Sequence, residues 1–115
     1  MQYICLIYGD EQAWQGMSDD ERNQMFAAYG SFTESIQQSG QMVAGDALQP
    51  TTTATTVRVR DGETLVTDGP FLETKEVLGG YLVADCRDLD AAIELAQRVP
   101  LVGRGSVEIR PVVTH

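Results

Sequence analysis

Residues 3–8, Tyr-Ile-Cys-Leu-Ile-Tyr, are apolar at every position and are closed by Gly9-Asp10. A short run without polar alternation reads as a strand covered on both faces. Ser18 and Glu21 then stand at capping-box spacing, and Asp19, Asp20 and Glu21 suit the positive end of a helix dipole. No hydrophobic staple supports this start, because Arg22 holds its inner position. Met25, Tyr29, Phe32 and Ile36 recur at steps of four, three and four, which is one helical face, and Ser39-Gly40 ends the helix. Residues 41–48 read as a short strand broken by Gln49-Pro50.

The second half begins with a hairpin. Residues 52–60 and 63–67 are rich in β-branched side chains, and Asp61-Gly62 between them is among the strongest turn signals. Asp68-Gly69-Pro70 makes another turn. Residues 77–86 form a second strand that is apolar on both faces, interrupted by Gly79-Gly80. Asp88 caps a helix predicted through Val99, with Leu89, Ala92, Ile93 and Ala96 on one face and Pro100 as its stop. Residues 106–113 alternate, Val107 and Ile109 to one side, Glu108 and Arg110 to the other.

The order is β-α-β, an inserted hairpin, then β-α-β: an α+β, ferredoxin-like split βαβ in one domain spanning residues 1–115. That arrangement puts the first and third principal strands at the sheet centre, and these are the two runs that read apolar on both faces. Both helices then share one side of the sheet. The other side shows Cys5 or Leu6, with Tyr81 or Leu82, to water, and an apolar patch of that kind marks an interface. A two-fold copy stacked sheet on sheet covers it most simply, so a homodimer is expected; the alternative is a monomer with an apolar open face.

Charge narrows the partners. The 115 residues hold 8 Lys and Arg against 17 Asp and Glu, a net charge of −9. Nucleic-acid binding needs a basic face, and an anionic membrane surface would repel this chain. No apolar run reaches a membrane span, and the N-terminal residues lack the basic region and cleavage site of a signal peptide, so a cytoplasmic location is expected. Cys5 and Cys86 lie in apolar strands, where a free thiol acts as a small hydrophobe.

The densest chemistry is in residues 67–76, where Asp68-Gly69-Pro70-Phe71 precedes Glu73-Thr74-Lys75-Glu76. Pro70 fixes its own φ and Gly69 frees the backbone before it, which aims Asp68 in a defined direction. Spacing alone also fits a tight turn with a solvated charged tail.

Asp68-Gly69-Pro70-Phe71, with Gly79-Gly80-Tyr81, Tyr8-Gly9-Asp10-Glu11, Ala44-Gly45-Asp46-Ala47-Leu48, Thr55-Thr56-Val57-Arg58 and Val107-Glu108-Ile109-Arg110-Pro111, resembles the DGPF branch of the YCII-related proteins. The resemblance spans nearly the whole chain. It implies ferredoxin-like chains paired into a dimeric α/β barrel, found in bacteria and often encoded beside alternative sigma factors. The wider group is suspected of catalysis through a His–Asp pair with the His on the first helix. Here the only histidine is His115, and that helix carries none. The pair therefore lacks its first member, while Asp46 and Asp68 are candidates for its second.

Other chemistries are poorly supplied. One His and two separated Cys cannot make a typical zinc set, no internal axial ligand is available for a haem, and no phosphate-binding glycine loop follows a strand. No metal or cofactor is expected. Two readings remain. In the first, the protein binds a small molecule, an anion included, in a cavity between paired sheets, with weak catalysis as an extension. Arg58, Arg60, Glu108 and Arg110 would line it with Asp46 and Asp68 at its rim, and the arginines would clamp an anionic ligand. Gly69, Pro70 and Phe71 beside Asp68 are further ligand-binding candidates, and an Asp with Tyr29 or Tyr81 would transfer a proton. In the second, it is a non-catalytic regulatory module beside a sigma factor, which rests on the resemblance alone.

Overall fold

The computed structural model describes the backbone of residues 1–115 and every side chain except those at 102 and 103. In chain order the elements are β1 (Gln2–Asp10), α1 (Glu11–Gln15), α2 (Asp19–Ser39), β2 (Met42–Ala47), β3 (Thr55–Arg60), β4 (Glu63–Asp68), β5 (Glu76–Asp85), α3 (Leu89–Gln97) and β6 (Gly105–Pro111). Short 3₁₀ turns occupy Thr51–Thr53 and Pro100–Gly103.

Four strands form one antiparallel sheet in the order β2-β5-β1-β6. Counting only these principal strands, the order is second, third, first, fourth, as the ferredoxin-like reading requires, with the two doubly apolar runs in the middle. Strand alternation sorts their side chains. Tyr3, Cys5 and Ile7 of β1 and Leu82 and Ala84 of β5 are buried on one face. Ile36 of α2 and Ala92, Leu95 and Ala96 of α3 pack against them, so both long helices cover the same side. The sequence left open which parity faces outward. Cys5 and Leu82 are core, and Leu6 and Tyr81, paired in register, lie on the uncovered face.

Cys5 and Cys86 are both free and buried. Burial, with a smaller contribution from the nearby Cys86, pushes the Cys5 thiol up to about 11. At neutral pH it stays protonated and serves as packing.

The local signals that the sequence carries do act. Ser18 and Glu21 complete the capping box, and Gly40 closes α2 at φ 76°, a left-handed conformation that a glycine adopts without strain. Asp61 and Gly62 have φ 52° and 79°, the paired positive values that a tight two-residue hairpin turn needs.

One element was not expected, and two expectations are corrected. The residues after Gly9 form a helical turn, α1, because the Asp10 carboxylate accepts from the Gln12 and Ala13 amides at 2.9 and 3.4 Å. The second long helix stops at Gln97, and it is turned so that Leu95 is buried while Leu89 and Ile93 are 50% and 40% exposed. The last strand ends at Pro111, and Val112 and Val113 lie outside it, although the Val112 amide still donates to the Gln2 carbonyl at 2.9 Å.

The predicted hairpin forms, with β3 and β4 paired from Thr55 and Asp68 to Arg60 and Glu63, but it is a separate two-stranded ribbon. It does not extend the main sheet, and every residue of β4 is exposed. Among the described residues no helix is long and apolar enough to cross a membrane.

Candidate functional site

A cleft of about 660 Å³ opens between α1, one face of α2 and the helix-facing side of the sheet near its β2 edge. It lies within one chain, on the face opposite the one that a stacked second sheet would cover.

Its depth comes from absent side chains. Gly9, Gly45, Gly79 and Gly80 line its sheet side, where larger residues would fill the space under α2. A Cβ on Gly9 would stand 2.9 Å from Leu101 Cδ2, and one on Gly45 would stand 3.1 Å from both Met42 Cε and Tyr81 O. The opposing wall is aromatic. Trp14, which the Asp10 cap sets in place, meets Phe26 edge to face, with centroids 5.4 Å apart and planes at 80°. Phe26 is 62% exposed and forms the rim, while Met17, Tyr29, Phe32 and Ile36 lie deeper. The exposed Phe26 ring, edge to face with Trp14, thus forms one side of the cleft mouth.

The lining also holds polar side chains, Tyr29, Thr33, Gln49 and Arg104 among them. Tyr29 is half-buried among these side chains, and burial raises its pKa, an effect opposed by a hydrogen bond with the Leu101 backbone. At neutral pH the hydroxyl therefore keeps its proton and can donate. Arg104 stands at the opening, 3.8 Å from Glu21 Oε2.

The third wall, residues 48–50, is fastened twice. The Leu48 amide donates to the Gly79 carbonyl at 2.9 Å. Glu11 of α1 accepts from the Thr51 amide with one oxygen and from the Thr51 hydroxyl with the other, both at 2.7 Å. Charge-assisted bonds of this length are among the stronger ones. Glu11→Ala is expected to cost about 1–3 kcal/mol in denaturant unfolding and to raise amide exchange at Thr51. Glu11→Gln, which keeps one acceptor, is expected to cost about half as much. An unchanged Thr51 exchange rate in Glu11→Ala would show that the wall is held by other contacts.

The residues proposed from sequence are divided among three places. Tyr29 is in the cleft, and Asp46 borders it on β2. The Asp46 carboxylate accepts from the Tyr81 hydroxyl at 3.1 Å, and this hydrogen bond, then the Asp46 charge, raises the Tyr81 pKa. Arg110 is exposed at the far edge of the uncovered sheet face, in register with Ile4. The Asp68-to-Phe71 turn lies at the base of the ribbon and contributes nothing to the cleft lining.

There the expected geometry is corrected. Asp68 is exposed, and its side chain makes no hydrogen bond or ion pair among the described residues, so it neither points inward nor closes the turn. The turn is closed by its neighbour: Gly69, at φ 105°, donates its amide to the Ala54 carbonyl at 2.8 Å, and its own carbonyl accepts from the Thr56 hydroxyl at 2.8 Å. Pro70 is half-buried. Phe71 is 65% exposed, with the Arg58 guanidinium 5.3 Å from its ring centroid. Among the described residues no group of three or more His, Cys, Asp or Glu converges as a metal-ligand set.

Trp14, Phe26 and Leu101 were missed as candidates. The one local signal was Asp10-Glu11 after a strand, an N-cap followed by a first-turn acid, which would have placed Trp14 on a helix.

A profile of the YCII-related domain matches residues 1–115. An uncharacterized protein of Rhizobium meliloti (strain 1021) is 35% identical over 117 residues, covering 100% of this chain and 94% of the relative.

Proposed function

For this chain, which belongs to the YCII-related family, we propose that it binds a small, largely apolar, ring-bearing molecule in the cleft. The observation that carries this reading is the cleft's composition: a largely apolar and aromatic lining that includes the half-buried hydroxyl of Tyr29, with Thr33 and Tyr81 the other hydroxyl-bearing residues. Ligand sites combine such a lining with a small number of placed polar groups. The cleft volume of about 660 Å³ suits a guest of one or two rings. Tyr29 would donate to a guest oxygen or nitrogen, while Trp14 and Phe26 would hold its ring.

Proton transfer is a weaker extension of this reading. Among the described residues, no carboxylate is hydrogen-bonded to Tyr29, and the one carboxylate–tyrosine pair, Asp46 with Tyr81, is solvent-facing. An anionic guest would rest on Arg104 at the opening, since Arg58 and Arg110 lie elsewhere.

Trp14 is the single tryptophan of the chain. Its emission therefore reports cleft occupancy without a label. Titration with 2-naphthol is expected to change that emission saturably at micromolar concentration. Tyr29→Phe is expected to weaken 2-naphthol binding about 5- to 10-fold and to leave naphthalene binding unchanged, because only the hydroxylated guest loses a hydrogen bond. No saturable response to either compound would remove the binding reading and favour the regulatory module, which needs no cleft.

A further inference from the structure

The long helix α2 serves two surfaces. Tyr29 and Ile36, seven residues apart, turn toward the cleft. Further round the helix, Gln24, Ser31 and Ser35 follow at steps of seven and four and form a polar face of their own. A groove of about 630 Å³ runs along that face, with Met25 and Phe32 in its floor and Arg98 and Arg104 in its other wall.

A short turn brings the two arginines together. Pro100 opens the 3₁₀ turn Pro100–Gly103 that follows α3. Arg98 caps α3 and Arg104 caps the turn, their amides donating to the Leu95 and Leu101 carbonyls at 3.1 and 2.9 Å. In a chain of net charge −9, the groove is therefore a local reversal of sign.

Neither guanidinium is well matched within the chain. Among the described residues Arg98 meets no carboxylate, only the Ser35 hydroxyl at 3.4 Å, the outer limit of a hydrogen bond. Arg104 stands 3.8 Å from Glu21 Oε2, too far for one. Glu21 is held back by the helix start, where its Oε1 accepts from the Ser18 hydroxyl at 3.1 Å and the Ser18 amide at 3.4 Å. An exposed ion pair at such a distance contributes little, so both arginines are free to take a better acceptor.

We propose that this groove is a second ligand site, separate from the cleft, for a small organic phosphate. Arg98 and Arg104 bring two positive charges and forked donors that match phosphate oxygens. Gln24, Ser31 and Ser35 add donors along α2, and Met25 with Phe32 gives the organic part an apolar floor. A phosphate monoester carries a charge of about −1.5 to −2 at pH 7, so it engages both arginines, whereas a carboxylate brings one charge. The site does not rest on the cleft reading: Arg98, Ser31 and Ser35 line the groove and not the cleft, while Met17, Phe32 and Arg104 border both.

Calorimetric titration of the full chain with phenyl phosphate at low salt is expected to saturate with a Kd of about 0.1–1 mM. Benzoate, which carries one charge on the same ring, is expected to bind about tenfold more weakly. Arg98→Gln is expected to weaken phenyl phosphate binding about tenfold and to leave the Trp14 response to 2-naphthol unchanged, because Arg98 does not line the cleft. Glu21→Gln keeps the capping residue type and removes the carboxylate that faces Arg104. It is expected to tighten phenyl phosphate binding about threefold, a gain that a damaged fold would not produce. The absence of saturable heat up to about 10 mM phenyl phosphate overturns the proposal. So does benzoate binding as tightly as phenyl phosphate, since the two arginines would not then act together. Weakening by Arg104→Gln with Arg98→Gln silent also overturns it, because the anion would sit at the cleft mouth.

Discussion

Leu95→Ala is expected to cost about 3–4 kcal/mol, at the upper part of the range for a buried leucine. Leu95 lies on the underside of α3 and is 1% exposed. The cost of such a change depends on whether neighbours can move into the space left behind. Here Ala84, Ala92, Ala96, Cys5 and Cys86 of its cluster have side chains too short to reach into a void, and Tyr3, Ile36 and Leu82 of the same cluster would have to leave their own packing to fill it. The cavity should therefore persist, adding its own penalty to the lost transfer energy. For a domain of this size the thermal midpoint should fall by roughly 12–20 °C.

Ile93→Ala is the matched control. Periodicity in the sequence placed Ile93 on the inner face of the helix, but it is 40% exposed. Its truncation should cost less than about 1 kcal/mol. Denaturant midpoints measured at one protein concentration would compare the two. Equal costs would mean that α3 is rotated from the position described.

The misassigned face of α3 shows where sequence periodicity loses resolution. In Leu89-Asp90-Ala91-Ala92-Ile93-Glu94-Leu95-Ala96-Gln97, apolar residues occupy six of the nine positions. Leu89, Ala92, Ile93 and Ala96 satisfy helical spacing, and so do Ala92, Leu95, Ala96 and Val99. The difference is a rotation of about one position, and tertiary packing chooses between the two. By contrast, α2 carries a sparse apolar pattern on a polar background, and Met25, Tyr29, Phe32 and Ile36 do turn inward. Dense apolar segments are easy to recognise as elements and hard to orient.

The sheet was legible because its centre needs residues that are apolar on both faces, and only two runs supply them. The hairpin was legible because Asp-Gly tolerates the positive φ values of its turn. That the ribbon stands apart was not, since alternation along β3 looks the same whether one face covers a core or both face water. The cleft was the least legible feature. Its walls come from α1, α2, β1, β2, β5 and the segment before β6, and much of its volume is set by glycines, which leave no hydrophobic signature. The Asp68-to-Phe71 motif drew attention by its density of chemistry, yet its proline and glycine serve the local turn, through Gly69 rather than the carboxylate.

Glycine also provides the second large effect. Gly105 begins β6 and pairs with Gly9 of β1. A Cβ built there would overlap the Tyr8 carbonyl oxygen and lie 3.2 Å from Tyr8 C and 3.3 Å from Gly9 Cα. All three are backbone atoms of a central strand, so no side-chain rotation relieves the contact. The strain must instead move the start of β6 away from β1. Gly105→Ala is therefore expected to cost about 2–3 kcal/mol, even though alanine gains about 0.4–1 kcal/mol from a less flexible unfolded chain. Because Leu101 and Arg104 lie just upstream and line the cleft, Trp14 emission should shift as well. Gly30→Ala is the opposite case. Gly30 lies within α2, and nothing stands within 4 Å of where its Cβ would be. There the same change should stabilise by about 0.5–1 kcal/mol, the ordinary gain for alanine over glycine inside a helix. One substitution at two glycines should thus move the unfolding midpoint in opposite directions. If Gly105→Ala matched or exceeded the wild-type midpoint, β6 could not lie against Tyr8 as described.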